Sequence, residues 1–439
     1  MNGAAGHIPD ALRAWAEQAI ATVTADELID LTRRMVDIPS PTGDEQAFAE
    51  FAVAAMRQAG LDARYQPIVP GQGNAIGTLR GAGGGASLLI HGPLDTVFGG
   101  PEDEDVPFLG VPTRPDQVPR AHVDDGWITG AGAHNPKGHA ACAITAAAAL
   151  ERAAAPLKGD LIVGLSAGGM PSNRRPRAAS PHDGHGSGLR HMVAHGLRAD
   201  FGLMAKPGPP SWEEVGLAWF RIRVNGLLGY AGTRHVVKHN NPILEATRLI
   251  AGLEAWFPAY TKRNSSGLAA PTGSIGAIRA GWPYKPTFIP QVAELFLDLR
   301  ISPRTPPEDV RQQFAEAIAR IAAEQNIDLD WEMIVAIPGT TTPRDNWIVG
   351  SAIRAYEAMT GKAYAPPAPG AGATEANVMR LLGIPTVRMG LPPPAKPGRY
   401  SGMFSTGEVH VESLMALTRC YIYAAVDTCL RPRAETGLV

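Results

Sequence analysis

The stretch Leu88-Leu89-Ile90-His91-Gly92-Pro93-Leu94-Asp95-Thr96-Val97 decides the fold. Its first three apolar residues predict a buried strand, Gly92-Pro93 marks the strand's end, and Asp95 lies just past the turn. In open α/β sheets, ligands bind beyond the carboxyl ends of the strands. Asp95 is therefore expected where chemistry takes place.

Working outward, 439 residues leave room for two or three domains, each able to bury a core. Apolar residues make up 45%, as in ordinary soluble globular chains. The net charge of -2, with both signs interspersed, argues against a nucleic-acid-binding stripe and a polybasic membrane patch. Cys142, Cys420 and Cys429 have no metal-type spacing and read as reduced thiols of a cytoplasmic protein. Met1 to Ala16 has no basic region followed by an apolar run, so no signal peptide is expected. No uncharged apolar run is long enough to span a bilayer.

Apolar spacing predicts helices over Asp10–Val23, Asp26–Val36 and Asp44–Ala59, the last ended by Gly60. Short strands are expected at Ala63–Gln66, Ala75–Leu79 and Ser87–His91, and an acidic, Pro-rich loop over Pro101–Val118. A strand at Gly126–Thr129 leads into a Gly-rich loop and an Ala-rich helix reaching about Ala153. Leu161–Ser166 and Phe201–Ala205 read as buried strands, with a helix over Leu189–His195 between them. From Ser211 the pattern becomes strand, helix, strand, strand, helix, strand, ending near Val335, which is the split βαβ plan of a ferredoxin-like domain. After Asp345 helix and strand alternate again, through Thr374–Leu382 and Thr386–Met389 to a last helix from about Val411.

Leu94-Asp95-Thr96-Val97 after a strand resembles the H-x-D-T-V signature of the dinuclear-zinc aminoacylase, carboxypeptidase and succinyl-diaminopimelate desuccinylase family of metallopeptidases. The resemblance spans nearly the whole chain. It implies an α/β fold with a mixed-sheet catalytic domain, 1–210 and 336–439, and an inserted ferredoxin-like α+β lid and dimerisation domain, 211–335. It also implies a homodimer through that insert.

A zinc pair needs His or carboxylate ligands converging from several strand ends. At the places where the resemblance expects them, this chain has Pro93, Asn135, the Gly168-Gly169 pair, Lys206 and Phe404. Tyr230 stands where relatives carry a lid histidine. Losing the acids and adding Lys206 disfavours divalent cations, so no metal and no cofactor is expected.

Asp95, Lys206 and His134 remain as candidates for proton transfer. Asn135, Tyr230, Arg300, Thr374 and Glu375 are candidates for holding substrate, with Tyr230 a donor to an oxyanion. Each has a plainer role open to it: an Asp95–Lys206 ion pair, a solvated His134, a packed Tyr230, a paired Arg300, or a helix start at Thr374.

Three functions stay open at this point. One is a metal-independent enzyme acting on a small carboxylate-bearing amide or amino-acid-like molecule by hydrolysis, elimination or isomerisation. Another is an inactive binding protein. The third is a metallohydrolase whose ligands moved to His182 and His185 in the basic loop Arg174–Gly188.

Overall fold

The computed structural model describes residues 8–99, 105, 109–110, 113–172, 184–392 and 396–438. The chain divides into two compact units. The first comprises Met1–Trp212, Thr342–Pro366 and Thr374–Val439, and the second Glu213–Thr341 with Pro367–Ala373.

The first unit begins with three helices, α1 (Asp10–Ile20), α2 (Ala25–Val36) and α3 (Gln46–Gln58). Strands β1 (Asp62–Val69), β2 (Gln72–Leu79) and β3 (Leu88–Pro93) follow. A hairpin of β4 (His122–Asp124) and β5 (Trp127–Thr129) precedes α4 (Lys137–Arg152), β6 (Leu161–Ser166), α5 (Ser187–Ala194) and β7 (Phe201–Met204). The six-stranded sheet runs β1-β2-β6-β3-β7-β12, where β12 is Thr386–Arg388. The four strands β6, β3, β7 and β12 are mutually parallel, while β1 and β2 run antiparallel.

Central strands covered on both faces should be apolar throughout, and β3 and β6 are buried at every position. Helix α4 is buried from Lys137 to Leu150, because its alanines let it pack closely against α2 and against the last helix, Val411–Cys429. All three cysteines are free and buried. Among the described residues, no helix is long and apolar enough to cross a membrane.

In one detail the sequence reading is corrected. β3 does not stop at His91 but takes in Gly92 and Pro93; Pro93 pairs in parallel register with Ser166, and the Leu94 amide donates to the Ser166 carbonyl at 2.8 Å. Pairing with β7 ends at His91, so Pro93 has a strand neighbour on the β6 side alone and stands where an edge residue would. The β4–β5 hairpin was not expected.

The second unit contains β8 (Gly216–Asn225), α6 (Pro242–Asn264), β9 (Gly273–Ala280), β10 (Val292–Ile301), α7 (Pro307–Gln325) and β11 (Leu329–Ile337). Its antiparallel sheet has the order β9-β10-β8-β11, as the ferredoxin-like plan requires. Alternate residues of β10 point into a core that includes Phe220, Leu295, Leu253 and Phe314. Back in the first unit, α8 (Trp347–Thr360), α9 (Ala376–Leu381), β13 (Glu408–His410) and α10 (Val411–Cys429) complete the chain.

Candidate active site

Three neighbouring parallel strands, β6, β3 and β7, aim their carboxyl ends the same way. Gly168–Met170 follow the first, Asp95 the second and Lys206 the third. Asp95 is fully buried. Its Oδ2 accepts from the Thr42 hydroxyl at 2.7 Å and the Met170 amide at 2.9 Å, and its Oδ1 from the Gly169 amide at 3.0 Å. Burial pushes its pKa up, against the pull of these donors and of the Lys206 charge.

Beside it lies Glu45, also fully buried. Its Oε1 accepts from the Gly168 amide at 2.8 Å, the Gly43 amide at 3.1 Å and the Gln72 side chain at 3.4 Å. Burial, and then the charge of Asp95, raise the Glu45 pKa to about 8. Three consecutive amides, 168 to 170, are thus clamped by two buried carboxyl groups. Sequence reasoning missed Glu45, since a lone acid just ahead of a helix reads as ordinary N-terminal charge.

Lys206 is 7% exposed, and its ammonium lies 3.9 Å from Glu375 Oε2. Glu375 precedes α9 and is buried. A β-carbon on Gly169 would stand 2.2 Å from Glu375 Oε1, 2.4 Å from the Pro93 β-carbon and 3.1 Å from Asp95 Oδ1. Asp95, Glu375 and Pro93 therefore converge on the α-carbon of Gly169. Thr374 does the work of a helix start, its hydroxyl accepting from the Ala376 amide at 3.2 Å.

Two further buried histidines feel the Lys206 charge. His91, on β3, is held neutral by burial, with its pKa lowered to about 3. His139, in α4, accepts from the Leu391 amide at 3.1 Å and contacts the His134 carbonyl through Nδ1 at 2.8 Å, which fixes it as the Nδ1–H tautomer. Burial drives its pKa far below the usual histidine value. His134 meets the cluster through this residue, ring to ring at 5.6 Å, and burial lowers its own pKa to about 4. The amides of His134 and Asn135 both donate to the Thr406 carbonyl at 3.0 Å. Asn135 Oδ1 is buried and makes no hydrogen bond among the described residues.

These side chains do not fit a pair of zinc ions. Pro93 and the glycines offer no lone pair, Asn135 only a neutral amide oxygen, and Lys206 a positive charge. Phe404 is 74% exposed, on a loop held by Arg114, whose Nη2 donates to the Phe404 carbonyl at 2.8 Å. Among the described residues no group of three His, Cys, Asp or Glu could hold a metal ion. His182 lies outside the described residues.

Tyr230 and Arg300 belong to the second unit. Tyr230 is half exposed, with its ring 5.8 Å from Phe288. Arg300 lies 3.0 Å from Asp298, and its carbonyl accepts from the Tyr260 hydroxyl at 2.6 Å.

Residues 213–326 match the model of the peptidase dimerisation domain. Over more than nine-tenths of its length the chain superimposes on solved peptidases. Human carnosine dipeptidase 1 gives a TM-score of 0.70 at 15% identity, covering 95% of this chain and 99% of that one. An M20 family metallo-carboxypeptidase of Sulfolobus solfataricus gives 0.66 at 15% identity, covering 91% and 98%. The chain has the fold of the M20 peptidases, with a peptidase dimerisation domain inserted over residues 213–326.

Among relatives known by sequence, the LysW-lysine hydrolase of Deinococcus radiodurans is 32% identical over 198 residues, 45% of this chain and 44% of that protein. A putative LysW-lysine/LysW-ornithine hydrolase of Pyrococcus furiosus is 28% identical over 116 residues, 26% of this chain and 28% of that protein. The chain matches less than half the length of either relative. These named proteins are hydrolases and peptidases.

Proposed function

We propose that this chain is a hydrolase that cleaves a small, carboxylate-bearing amide of amino-acid type without a divalent cation at the family's metal position. One observation carries the reading: the buried ammonium of Lys206 lies at the end of β7, beside Glu375 and within the field of Asp95. A fixed cation in a poorly solvated site can hold a substrate carboxylate or stabilise the oxyanion that forms as an amide is attacked. In this scheme Asp95 positions Lys206 and the Gly169 and Met170 amides. Neutral His134 and Asn135 hydrogen-bond the substrate. The names of the relatives, which are hydrolases and dipeptidases, support the amide class. The match to a dimerisation domain supports a homodimer, and three free buried cysteines support a reducing compartment such as the cytoplasm.

The test is turnover of N-acyl amino acids and dipeptides by protein dialysed against a chelator. Activity should persist after dialysis and fall at least about 100-fold in Lys206→Met, the size usual for loss of an oxyanion-stabilising group. Activity that vanishes on chelation and returns with zinc, cobalt or manganese would sink the proposal. A second reading, binding without turnover, is favoured by one feature: three donors already engage both oxygens of Asp95. Saturable binding of the same panel with no product formed would select it.

A further inference from the structure

We infer that Glu375 is the proton-accepting carboxylate of this centre, and that residue 169 is glycine because the Glu375 carboxylate fills the space its side chain would need. The inference rests on the hydrolase reading above and names the base that reading requires.

Three carboxyl groups are candidates, and their place relative to the Lys206 ammonium separates them. Asp95 has both oxygens engaged, by Thr42, Gly169 and Met170. Glu45 is turned to the opposite task, its Oε1 gripping the Gly43 and Gly168 amides. Glu375 is the carboxylate beside the lysine: Oε2 is 3.9 Å from Lys206 Nζ, and Oε1 faces the bare α-carbon of Gly169. A general base must reach both the attacking water and the group that receives the developing charge. Of the three, Glu375 has the cation for a neighbour at that distance.

Gly169 makes the arrangement possible. Its φ is not in the left-handed range, so the backbone does not call for glycine there. What excludes a side chain is the 2.2 Å approach of Glu375 Oε1, together with Pro93. The carboxylate reaches this spot from the turn before α9, more than two hundred positions along the chain from the loop it lies against.

The chemistry balances without a co-reactant other than water. A water oxygen adds to the amide carbonyl carbon while one of its protons passes to the Glu375 carboxylate. The carbonyl oxygen becomes an oxyanion facing the Lys206 ammonium. As the carbonyl re-forms, the C–N bond breaks and the proton on Glu375 moves to the departing amine nitrogen.

Two measurements test this, both on the full-length chain. In the first, Glu375→Gln keeps the shape of the side chain and removes its basicity. It should lower kcat at least 100-fold on an N-acyl amino acid and leave KM within about threefold. A kcat within tenfold of the parent overturns the role. In the second, thermal unfolding is measured for Gly169→Ala, Glu375→Ala and the double variant. Gly169→Ala should lower Tm markedly in the parent and by less than half as much in the Glu375→Ala background. Equal losses in both backgrounds overturn the shared-space claim. This cycle needs no substrate. If the parent protein turns over no amide while the cycle is non-additive, the hydrolase reading has failed and the base assignment with it, whereas the packing of Glu375 on Gly169 stands.

Discussion

Two lysines of the first unit are buried, and their surroundings differ in kind. Lys137 is fully buried at the start of α4; its ammonium donates to the Ile38 carbonyl at 2.6 Å, reaches that of Val36 at 3.5 Å, and lies over the Phe48 ring. These are fixed groups at the end of α2, where a helix offers unpaired carbonyls and partial negative charge. Lys206 instead faces side chains that can change protonation: Glu375, Asp95, His91 and His139. A buried cation held by backbone is a structural tie. One held by titratable side chains can exchange a partner for a ligand, and on this difference rests the proposal that the β7 lysine is the functional one.

The largest effect should come from removing that charge. Lys206→Met leaves buried carboxyl groups uncompensated and should cost about 3–5 kcal/mol at neutral pH. Adding Glu375→Gln should recover more than half of the loss, because the uncompensated charge goes with it. Urea denaturation of the single and double variants measures this. A single variant within about 1 kcal/mol of the parent would mean that the ion pair contributes little to the folded state. Next in size is Asp95→Asn, in which an NH2 replaces one accepting oxygen and is turned toward either the Gly169 or the Met170 amide. It should cost about 2–3 kcal/mol and speed hydrogen exchange at residues 168–170. Protection unchanged at those amides would show that other contacts hold the loop.

The other half of the comparison predicts the reverse pattern. Lys137→Met strands two carbonyls and should destabilise by about 2 kcal/mol, without changing the affinity of the protein for N-acyl amino acids. A variant with parental stability and altered ligand affinity would dissolve the distinction between the two lysines.

The same contrast shows what a sequence can disclose. The alternation of apolar runs with turn residues was enough for the parallel strands, for the Ala-rich helix and for the βαββαβ order of the second unit, because each is set by local periodicity. Asp95 was legible for a similar reason, as a polar residue directly after a buried strand, whereas Lys206 was singled out through the family resemblance. Glu45 was not. Its partners are Gly168, 123 residues away, and the charge of Asp95, and nothing in Pro41-Thr42-Gly43-Asp44-Glu45 announces them. Glu375 was read as a substrate contact, while its packing on Gly169 depends on the close approach of a turn from the far end of the chain. The extra residues of β3 escaped because Gly-Pro is a turn signal that the parallel neighbour Ser166 overrides.

The smallest predicted effect at mildly acid pH belongs to Glu45, and its pH dependence gives it value. With its pKa raised to about 8 in the folded chain, from about 4.5 when unfolded, the group holds a proton in the fold across the range where the unfolded chain has released it. Folding then takes up a proton, so the stability tied to Glu45 is complete below pH 4.5 and is lost as pH rises through 8. The slope is at most about 1.4 kcal/mol per pH unit. Glu45→Gln mimics the protonated acid and keeps an oxygen for the Gly168 amide. At pH 5 it should match the parent to within about 1 kcal/mol. Between pH 5 and 8.5 the parent should lose stability relative to the variant, and the two curves of unfolding free energy should cross or diverge. Parallel curves would place Glu45 among ionised carboxylates. The pair it forms with Asp95 would then carry two charges, and Lys206 would have to balance both.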